Sequence, residues 1–437
     1  MHDFTQLFCK ETCGQGNYRI PSIITTKHGT VIAAVDERYY GGGDNPNRID
    51  KIVKRSTDNG KSWQDKILVV EEVGNEKMKA SAAIDPALLY DSYNDRIFML
   101  YDHTPAGVGI LSSRKGVGET AKGERLVYAK GEEYVVRGDA LYKADQATVY
   151  KCDKQGNVYQ DGAYKGNYFI GDGEFKELDS FFLMLCWSDD DGLTWSQPIC
   201  LNHQVKRADT SFLGVGPGIG IQMHGGEYDG RLVFPIYYNT GWGRNLWLSC
   251  AVIYSDDGGK TWSMGDSPNN SRKRLGIFKM SDKFLFLNEC LTESQVIQCA
   301  DGHLRIFMRN HSGKKRVALA DSYDGGVSWQ NFRFDETLVQ CICQLSIIQI
   351  QDEDRPATIF LNAAHAKARK NGVVRLSYDD GETWQYSATV REGEFVYSSM
   401  AQLSDGEIGI LYEPSTQHES VDFVKITTKW IKENNNA

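Results

Sequence analysis

Short apolar runs, rich in β-branched residues and closed by turn clusters, follow one another along most of the chain. Ile23-Ile24-Thr25-Thr26, Ile49-Asp50-Lys51-Ile52-Val53-Lys54-Arg55, Leu246 to Tyr254, Gly372-Val373-Val374-Arg375-Leu376 and Val421-Asp422-Phe423-Val424-Lys425-Ile426-Thr427 all read as strands. Three of them run straight into the same eight-residue pattern, S-x-D-x-G-x-[ST]-W. It occurs five times, from Ser56, Ser188, Ser255, Ser322 and Ser377. Its Asp and Gly make a turn: the carboxylate bonds nearby backbone N–H groups, and Gly takes positive φ without strain. The Trp is expected to pack back under that turn. Each box is therefore a folding device between two strands, without the ligand series of a calcium loop.

The spacing of the boxes sets the architecture. Three gaps are close to one unit length and the first is about two. A unit slightly longer than the roughly 40–50 residues of known four-stranded propeller blades predicts an all-β propeller of six blades, one of them without a recognisable box. An early strand around Phe4 to Phe8 and the final strand Val421 to Thr427 are expected to pair and close the ring. The overlong first gap, from about 103 to 179, has few long apolar runs and many tyrosines, among them Tyr128, Tyr134, Tyr142, Tyr150, Tyr159, Tyr164 and Tyr168. Within it, 147–152 and Val158-Tyr159 read as strands around the turn Asp153 to Asn157. A small inserted β subdomain is one reading of this stretch and a long surface loop is the other.

Composition narrows the classes. The chain has 437 residues and a net charge of −9. That balance disfavours nucleic acid as a partner and offers an anionic substrate no general attraction, so an anion site has to be built from local arginines. No apolar run approaches the roughly 18 residues of a membrane helix. The ten cysteines are too dilute for a disulfide scaffold, and the close pairs Cys9/Cys13 and Cys341/Cys343 lack metal-site spacing. The start Met1-His2-Asp3-Phe4 has no basic region followed by an apolar one. A cytoplasmic location is expected on that ground, or a secreted one if a leader has been removed.

An Arg-Ile-Pro near the start, Arg19-Ile20-Pro21, followed by five such boxes resembles the sialidase (neuraminidase) family, in pattern closest to streptococcal-type bacterial sialidases that carry an inserted β subdomain. The chemistry fits the residue types. Sialic acid carries a carboxylate on its anomeric carbon, which calls for converging guanidinia. A carboxylate nucleophile would be repelled there, whereas a neutral tyrosine relieved of its proton is not; tyrosine-dependent sialidases are a recognised exception to the two-carboxylate pattern of glycosidases.

The resemblance implies a role for each matching position. Arg19, Arg309 in Met308-Arg309-Asn310, and Arg369 in Ala368-Arg369-Lys370 match the three carboxylate-binding arginines. Arg38 matches the arginine that reaches the ring substituents. Asp44, after Gly41-Gly42-Gly43, matches the acid/base on a mobile loop. Asp85 matches the aspartate beside the N-acetyl pocket, with Asp102 as the alternative. Glu293 matches the base that activates Tyr397, the nucleophile, and Glu413 orients Arg19. The implied reaction is retaining hydrolysis of terminal α-linked sialic acid from sialylated glycans, with no metal or organic cofactor. Two alternatives stay open. One is capture of the intermediate by the sugar's own hydroxyl to give a 2,7-anhydro product, with Trp242 and Trp247 as candidates for a water-excluding wall. The other is a glycan-binding propeller without catalysis.

Overall fold

The computed structural model describes residues 4–143, 148–240, 247–274, 276–285 and 289–436. Strands dominate, and they pair mainly with their sequence neighbours. Four sheets are antiparallel meanders. The first runs through Leu213–Val215, Leu232–Asn239, Leu248–Ser255 and Ser263–Met264, with Ile221–Gln222 added at Leu232–Asn239. The second runs Leu291–Gln298, Leu304–Asn310, Arg316–Ser322 and Gln330–Val339. The third runs Leu345–Asp352, Arg355–Ala363, Lys370–Ser377 and Tyr386–Glu394. The fourth joins Ser398–Gln402, Ile408–Tyr412 and Val421–Ile426 to Thr5–Phe8 from the other end of the chain, with Thr5 opposite Phe423.

The fifth sheet has nine strands, so four blades stand alone rather than the six expected. It contains two meanders. Asn17–Thr25, Val31–Arg38, Ile49–Ser56 and Ile67–Val70 form one. Ala82–Asp91, Arg96–Thr104, Phe182–Ser188 and Ile199–Cys200 form the other. The two are connected by the parallel pair Ile49 and Ala82, with Gly218–Ile219 added alongside Ala82–Asp91.

The boxes explain why the sheets sit in a ring. Each joins the third and fourth strands of its meander and repeats one hydrogen-bond set. In the first, Ser56 Oγ donates to Asp58 Oδ1 at 2.8 Å and accepts from Gly60 N at 2.8 Å. Asp58 then accepts from Ser62 N at 2.9 Å and from Ser62 Oγ at 2.6 Å. The same bonds recur at Ser188, Ser255, Ser322 and Ser377. The box glycine presses against the preceding meander: a Cβ at Gly60, Gly192, Gly259, Gly326 or Gly381 would stand 2.4 to 3.0 Å from Phe423, Ile32, Phe98, Val252 or Phe307 respectively. The first box thus docks on the sheet that holds both chain ends. Trp63 stacks edge-on against Phe423 at 5.2 Å, and Trp262 and Trp384 lie between rings of two neighbouring sheets, so the tryptophans cement sheet to sheet as well as closing their own turns. No box precedes the last strand. There the helix Thr428–Glu433 lies on Tyr386–Glu394 instead.

Between Thr104 and Phe182 a separate eight-stranded sheet runs from Leu126–Ala129 to Lys176–Glu177. Its tyrosines build its own core: Tyr134, Tyr150 and Phe175 meet edge to face at 4.8 to 5.8 Å. None of the ten cysteines is in a disulfide. Among the described residues no helix is long and apolar enough to cross a membrane.

Candidate active site

The first strands of five meanders, with Gly218–Ile219 in place of the sixth, meet one another along the axis, and the site lies where these inner strands begin. Three of them break register at the same level, between Arg19 and Ser22, between Ile84 and Ala87, and between Leu291 and Ser294. Bulges re-aim side chains, and here they deliver Arg19, Asp85 and Glu293. Ile20 and Asp85 have positive φ, 58° and 63°, a conformation that costs free energy for residues with a Cβ and tends to be retained at functional sites.

Tyr397 sits just ahead of Ser398–Gln402 and is 5% exposed. Its hydroxyl donates a short hydrogen bond to Glu293 Oε1 and accepts one from Arg309 Nη1 at 2.9 Å. Arg309 Nη1 also pairs with Glu293 Oε2. The Arg19 and Arg369 guanidinia lie 5.2 and 5.4 Å from the Tyr397 ring centre. Three cations therefore surround one phenol. Burial first, then Glu293, pushes that phenol well above its ordinary value, while Arg309 and Arg369 pull the other way. It is protonated at neutral pH, with a carboxylate in contact to take its proton.

Arg19 is held from behind. Glu413 Oε2 accepts from Arg19 Nε at 3.3 Å, and Glu413 Oε1 accepts from Ile20 N at 2.9 Å. Burial alone would raise the Glu413 carboxyl; Arg19, His418 and the Ile20 N–H outweigh it and hold the group at about 2. In front, Arg19 Nη1 meets Asp44 Oδ1 at 3.0 Å, and Arg38 Nη1 meets the same oxygen at 2.7 Å. Asp44 feels an opposing effect of burial, but Arg38 and Arg19 bring it down to about 2.

The Gly41-Gly42-Gly43 loop that carries Asp44 is tied down: Asn47 Nδ2 donates to the carbonyls of Gly41 and Gly43, both at 3.0 Å. Gly42 has to be glycine, because a Cβ there would stand 2.6 Å from His418.

Arg19, Asp44, Asp85, Glu293 and Tyr397 line one cavity of about 250 Å³. Arg38 lies behind it, fully buried, bonded to Asp36 and Gly42 as well as to Asp44. The cavity also has an apolar wall, where Ile110, Tyr237, Phe181 and Phe212 pack together, and Ile84 and Asp102 complete its lining. Asp102 Oδ2 accepts from Val215 N at 3.1 Å and its Oδ1 is buried without a partner. Burial and the carboxylates of Asp36, Asp44 and Asp102 raise Asp85 well above the usual carboxylate range. Trp247 packs on Phe284 and does not line the cavity; Trp242 lies outside the described residues.

A three-arginine cluster around a tyrosine–glutamate pair can grip a carboxylate and present a phenolate to the carbon that bears it. Comparison with known proteins bears on the same point. The model for the BNR repeat-like domain matches residues 168–410, more than half of the chain. The chain belongs to the bacterial-type sialidase family. Among its relatives, the anhydrosialidase of Macrobdella decora is 30% identical over 91% of this chain and 58% of its own length. The sialidase of Bacteroides fragilis is 28% identical over 94% of this chain and 62% of its own. The chain therefore spans less than two thirds of either relative. Among solved structures, an intramolecular trans-sialidase from Ruminococcus gnavus, in complex with oseltamivir carboxylate, superposes with a TM-score of 0.82 at 25% identity, covering 99% of this chain and 98% of that one.

Within this family member, sequence reasoning brought together Arg19, Asp44, Glu293, Arg309, Arg369 and Tyr397, and the structure places all six around one point. It missed the apolar wall. Ile110 and Phe181 come from segments flanking the inserted sheet and Phe212 from just ahead of Leu213–Val215, and no motif marks them. His418 was missed too; the three glycines of the acid loop were its only trace, since one of them makes room for it.

Proposed function

We propose that the chain is an exo-sialidase, cleaving terminal α-linked sialic acid from glycoconjugates with retention through a sialyl-tyrosine intermediate. The observation that carries this reading is the Tyr397 hydroxyl shared between Glu293 and Arg309, with Arg19 and Arg369 at the ring. The substrate carboxylate binds Arg19, Arg309 and Arg369, displacing Asp44 from Arg19. With that cation occupied, the Asp44 carboxyl gains proton affinity and protonates the leaving oxygen. Glu293 takes the phenolic proton as Tyr397 attacks the anomeric carbon. Water, deprotonated by Asp44, then releases sialic acid, and two inversions give net retention. The apolar residues Ile110, Phe181 and Phe212, which pack together in the cavity wall, offer the N-acyl arm of the sugar a surface. Arg38 acts through Asp44 rather than on the sugar.

The architecture behind this reading is one catalytic propeller over 1–437, interrupted at about 103–179. Six blades follow if the nine-stranded sheet is counted as two, and the cyclic docking of each box on the preceding meander supports that count.

A second reading shares every residue. The names of two relatives, an anhydrosialidase and an intramolecular trans-sialidase, favour capture of the intermediate by the sugar's own hydroxyl. NMR of the products from 3′-sialyllactose separates the outcomes. Free sialic acid supports the hydrolase. A 2,7-anhydro product keeps the site and changes the second step. Binding without turnover overturns both and leaves a glycan-binding propeller.

A further inference from the structure

Four carboxylates line the cavity, and two of them sit on guanidinia: Asp44 on Arg19 and Arg38, and Glu293 on Arg309. Asp102 is placed differently. It lies within the strand Arg96–Thr104, opposite Ile84 on one side and Leu183 on the other, and is 1% exposed. Its Oδ2 accepts from Val215 N at 3.1 Å; among the described residues its Oδ1 has no partner. A buried polar atom left unpaired is costly. In the lining of a ligand cavity, the ligand is what can pair it.

The wall beside Asp102 is aromatic. Phe181 meets Phe212 edge to face at 4.7 Å, and Phe212 meets Tyr237 at the same distance. Lys206 Nζ donates to Ser180 Oγ at 2.7 Å and to the Phe181 carbonyl at 2.8 Å, which fixes the Phe181 backbone. Asp102 and Phe212 adjoin: a Cβ at Gly214 would meet Phe212 at 2.4 Å and Asp102 Oδ2 at 2.9 Å.

The substituents of a sialic acid can be sorted against this wall. The carboxylate goes to the arginines and the glycosidic oxygen to Asp44. The ring hydroxyl is short, and the glycerol chain carries three hydroxyls that aromatic rings cannot pair. The N-acyl arm has an apolar stretch to lay on the rings. An arm ending in a methyl group covers Oδ1 and leaves it unpaired; an arm ending in a hydroxyl pairs it. A hydroxyl also suits either protonation state, donating to the carboxylate or accepting from the acid. That matters because burial pushes the Asp102 carboxyl well above its ordinary range, against the pull of the Val215 N–H, Lys51 and Lys206.

We propose that Asp102 makes the cavity selective for sialic acids whose N-acyl arm ends in a hydroxyl, the N-glycolyl form over the N-acetyl form. The inference rests on the sialidase reading and names the sialic acid that the same site prefers.

The experiment compares kcat/KM of the full chain on the N-glycolyl and N-acetyl forms of 3′-sialyllactose. A site that hydrogen-bonds a substrate hydroxyl rejects the analogue lacking it, so the native chain is expected to favour the N-glycolyl form at least about tenfold. Asp102→Leu is expected to bring the ratio to one or below. Asp102→Asn, whose amide still accepts from Val215 N and can donate to a hydroxyl, should keep a preference. Both substrates are read on one preparation, so a partly folded variant lowers both rates and leaves the ratio unmoved; Asp102→Ala gives the same reading if the leucine variant does not fold. A native ratio near one would overturn the inference and leave the sialidase reading intact, with Oδ1 taking the amide N–H that both arms share. A preference that survives in Asp102→Leu would also overturn it. Should neither substrate turn over, the hydrolase reading fails by itself, and the preference is read as the ratio of Kd values for the two free sugars by calorimetry. Equal affinities, or no binding of either sugar, would then overturn the role of Asp102.

Discussion

Tyr397 and Glu293, from different sheets of the ring, share a short hydrogen bond in which the buried phenol is the donor and the carboxylate the acceptor. Neither group has this property alone. The phenol is held protonated by burial and by the carboxylate itself, so it becomes a nucleophile only if Glu293 takes its proton. Glu293→Gln keeps the shape and removes the base. Turnover of 3′-sialyllactose is expected to fall about 10²–10⁴-fold, with affinity for sialic acid changed far less, as read by a kcat against KM comparison. Equal damage to both would place Glu293 in binding instead.

Asp44 lies against two guanidinia, with its own side chain 64% exposed, so it can swing between the arginines and the sugar. Asp44→Asn is expected to cost about 10²–10⁴-fold on 3′-sialyllactose, whose alkoxide leaving group needs a proton. An aryl sialoside such as 4-methylumbelliferyl sialic acid, whose phenolate leaves unaided, should lose far less in the same variant. Identical losses on the two substrates would contradict an acid role.

Arg369 closes the guanidinium cluster from a loop whose anchor is the bond from Phe395 N to the Arg369 carbonyl at 3.1 Å. A charge-assisted hydrogen bond contributes about 1.5–3 kcal/mol. Arg369→Ala is therefore expected to raise KM roughly 10- to 100-fold, with the larger effect on substrates that bind through the carboxylate alone. A substrate-analogue amide at that carboxylate should no longer distinguish the variant from the native chain. Discrimination that survives would place Arg369 elsewhere.

Glu413 sets a pH dependence of stability. Its folded value, about 2, lies below the roughly 4.3 of an unfolded glutamate. Its contribution, roughly 3 kcal/mol, is fully present above about pH 4.3 and is lost as pH falls towards 2. Comparing denaturant unfolding of the native chain and Glu413→Gln at several pH values should show a gap that narrows over that window. A gap independent of pH would mean that the carboxylate's charge does not stabilise the fold.

The boxes should matter to the fold and leave the chemistry alone. Ser377 Oγ is buried, donates to Asp379 and accepts from Gly381 N at 2.9 Å. Ser377→Ala leaves a buried N–H without a partner, at a cost of about 1–3 kcal/mol. Thermal unfolding is expected to come earlier, with kcat per folded molecule unchanged. A catalytic loss without a stability loss would contradict the structural role of the box.

The sequence carried the site further than it carried the sheet pairing. Glu293 and Arg309 flank one hairpin turn, and Arg19 and Asp44 stand in short local motifs, so their chemistry could be read along the chain. The nine-stranded sheet could not, because it hangs on a single parallel pair, Ile49 with Ala82, and one pair leaves no pattern. Arg38 reads, by resemblance, as an arginine that reaches the sugar. Only the fold shows it turned onto Asp36 and Asp44. The inserted sheet announced itself through its tyrosines, which became its core, whereas the cavity wall at Ile110, Phe181 and Phe212 is assembled from residues that any β protein would bury.

Covalent capture of the nucleophile tests the central claim most directly. In 2,3-difluorosialic acid, the fluoride at the anomeric carbon leaves readily while the neighbouring fluorine destabilises the positive charge that both steps develop, so the intermediate accumulates. Incubated with the native chain and mapped by mass spectrometry, it is expected to add one 3-fluorosialyl unit to Tyr397, with no adduct in Tyr397→Phe. An adduct on Asp44 or Glu293, or one that persists in Tyr397→Phe, would contradict the tyrosine nucleophile.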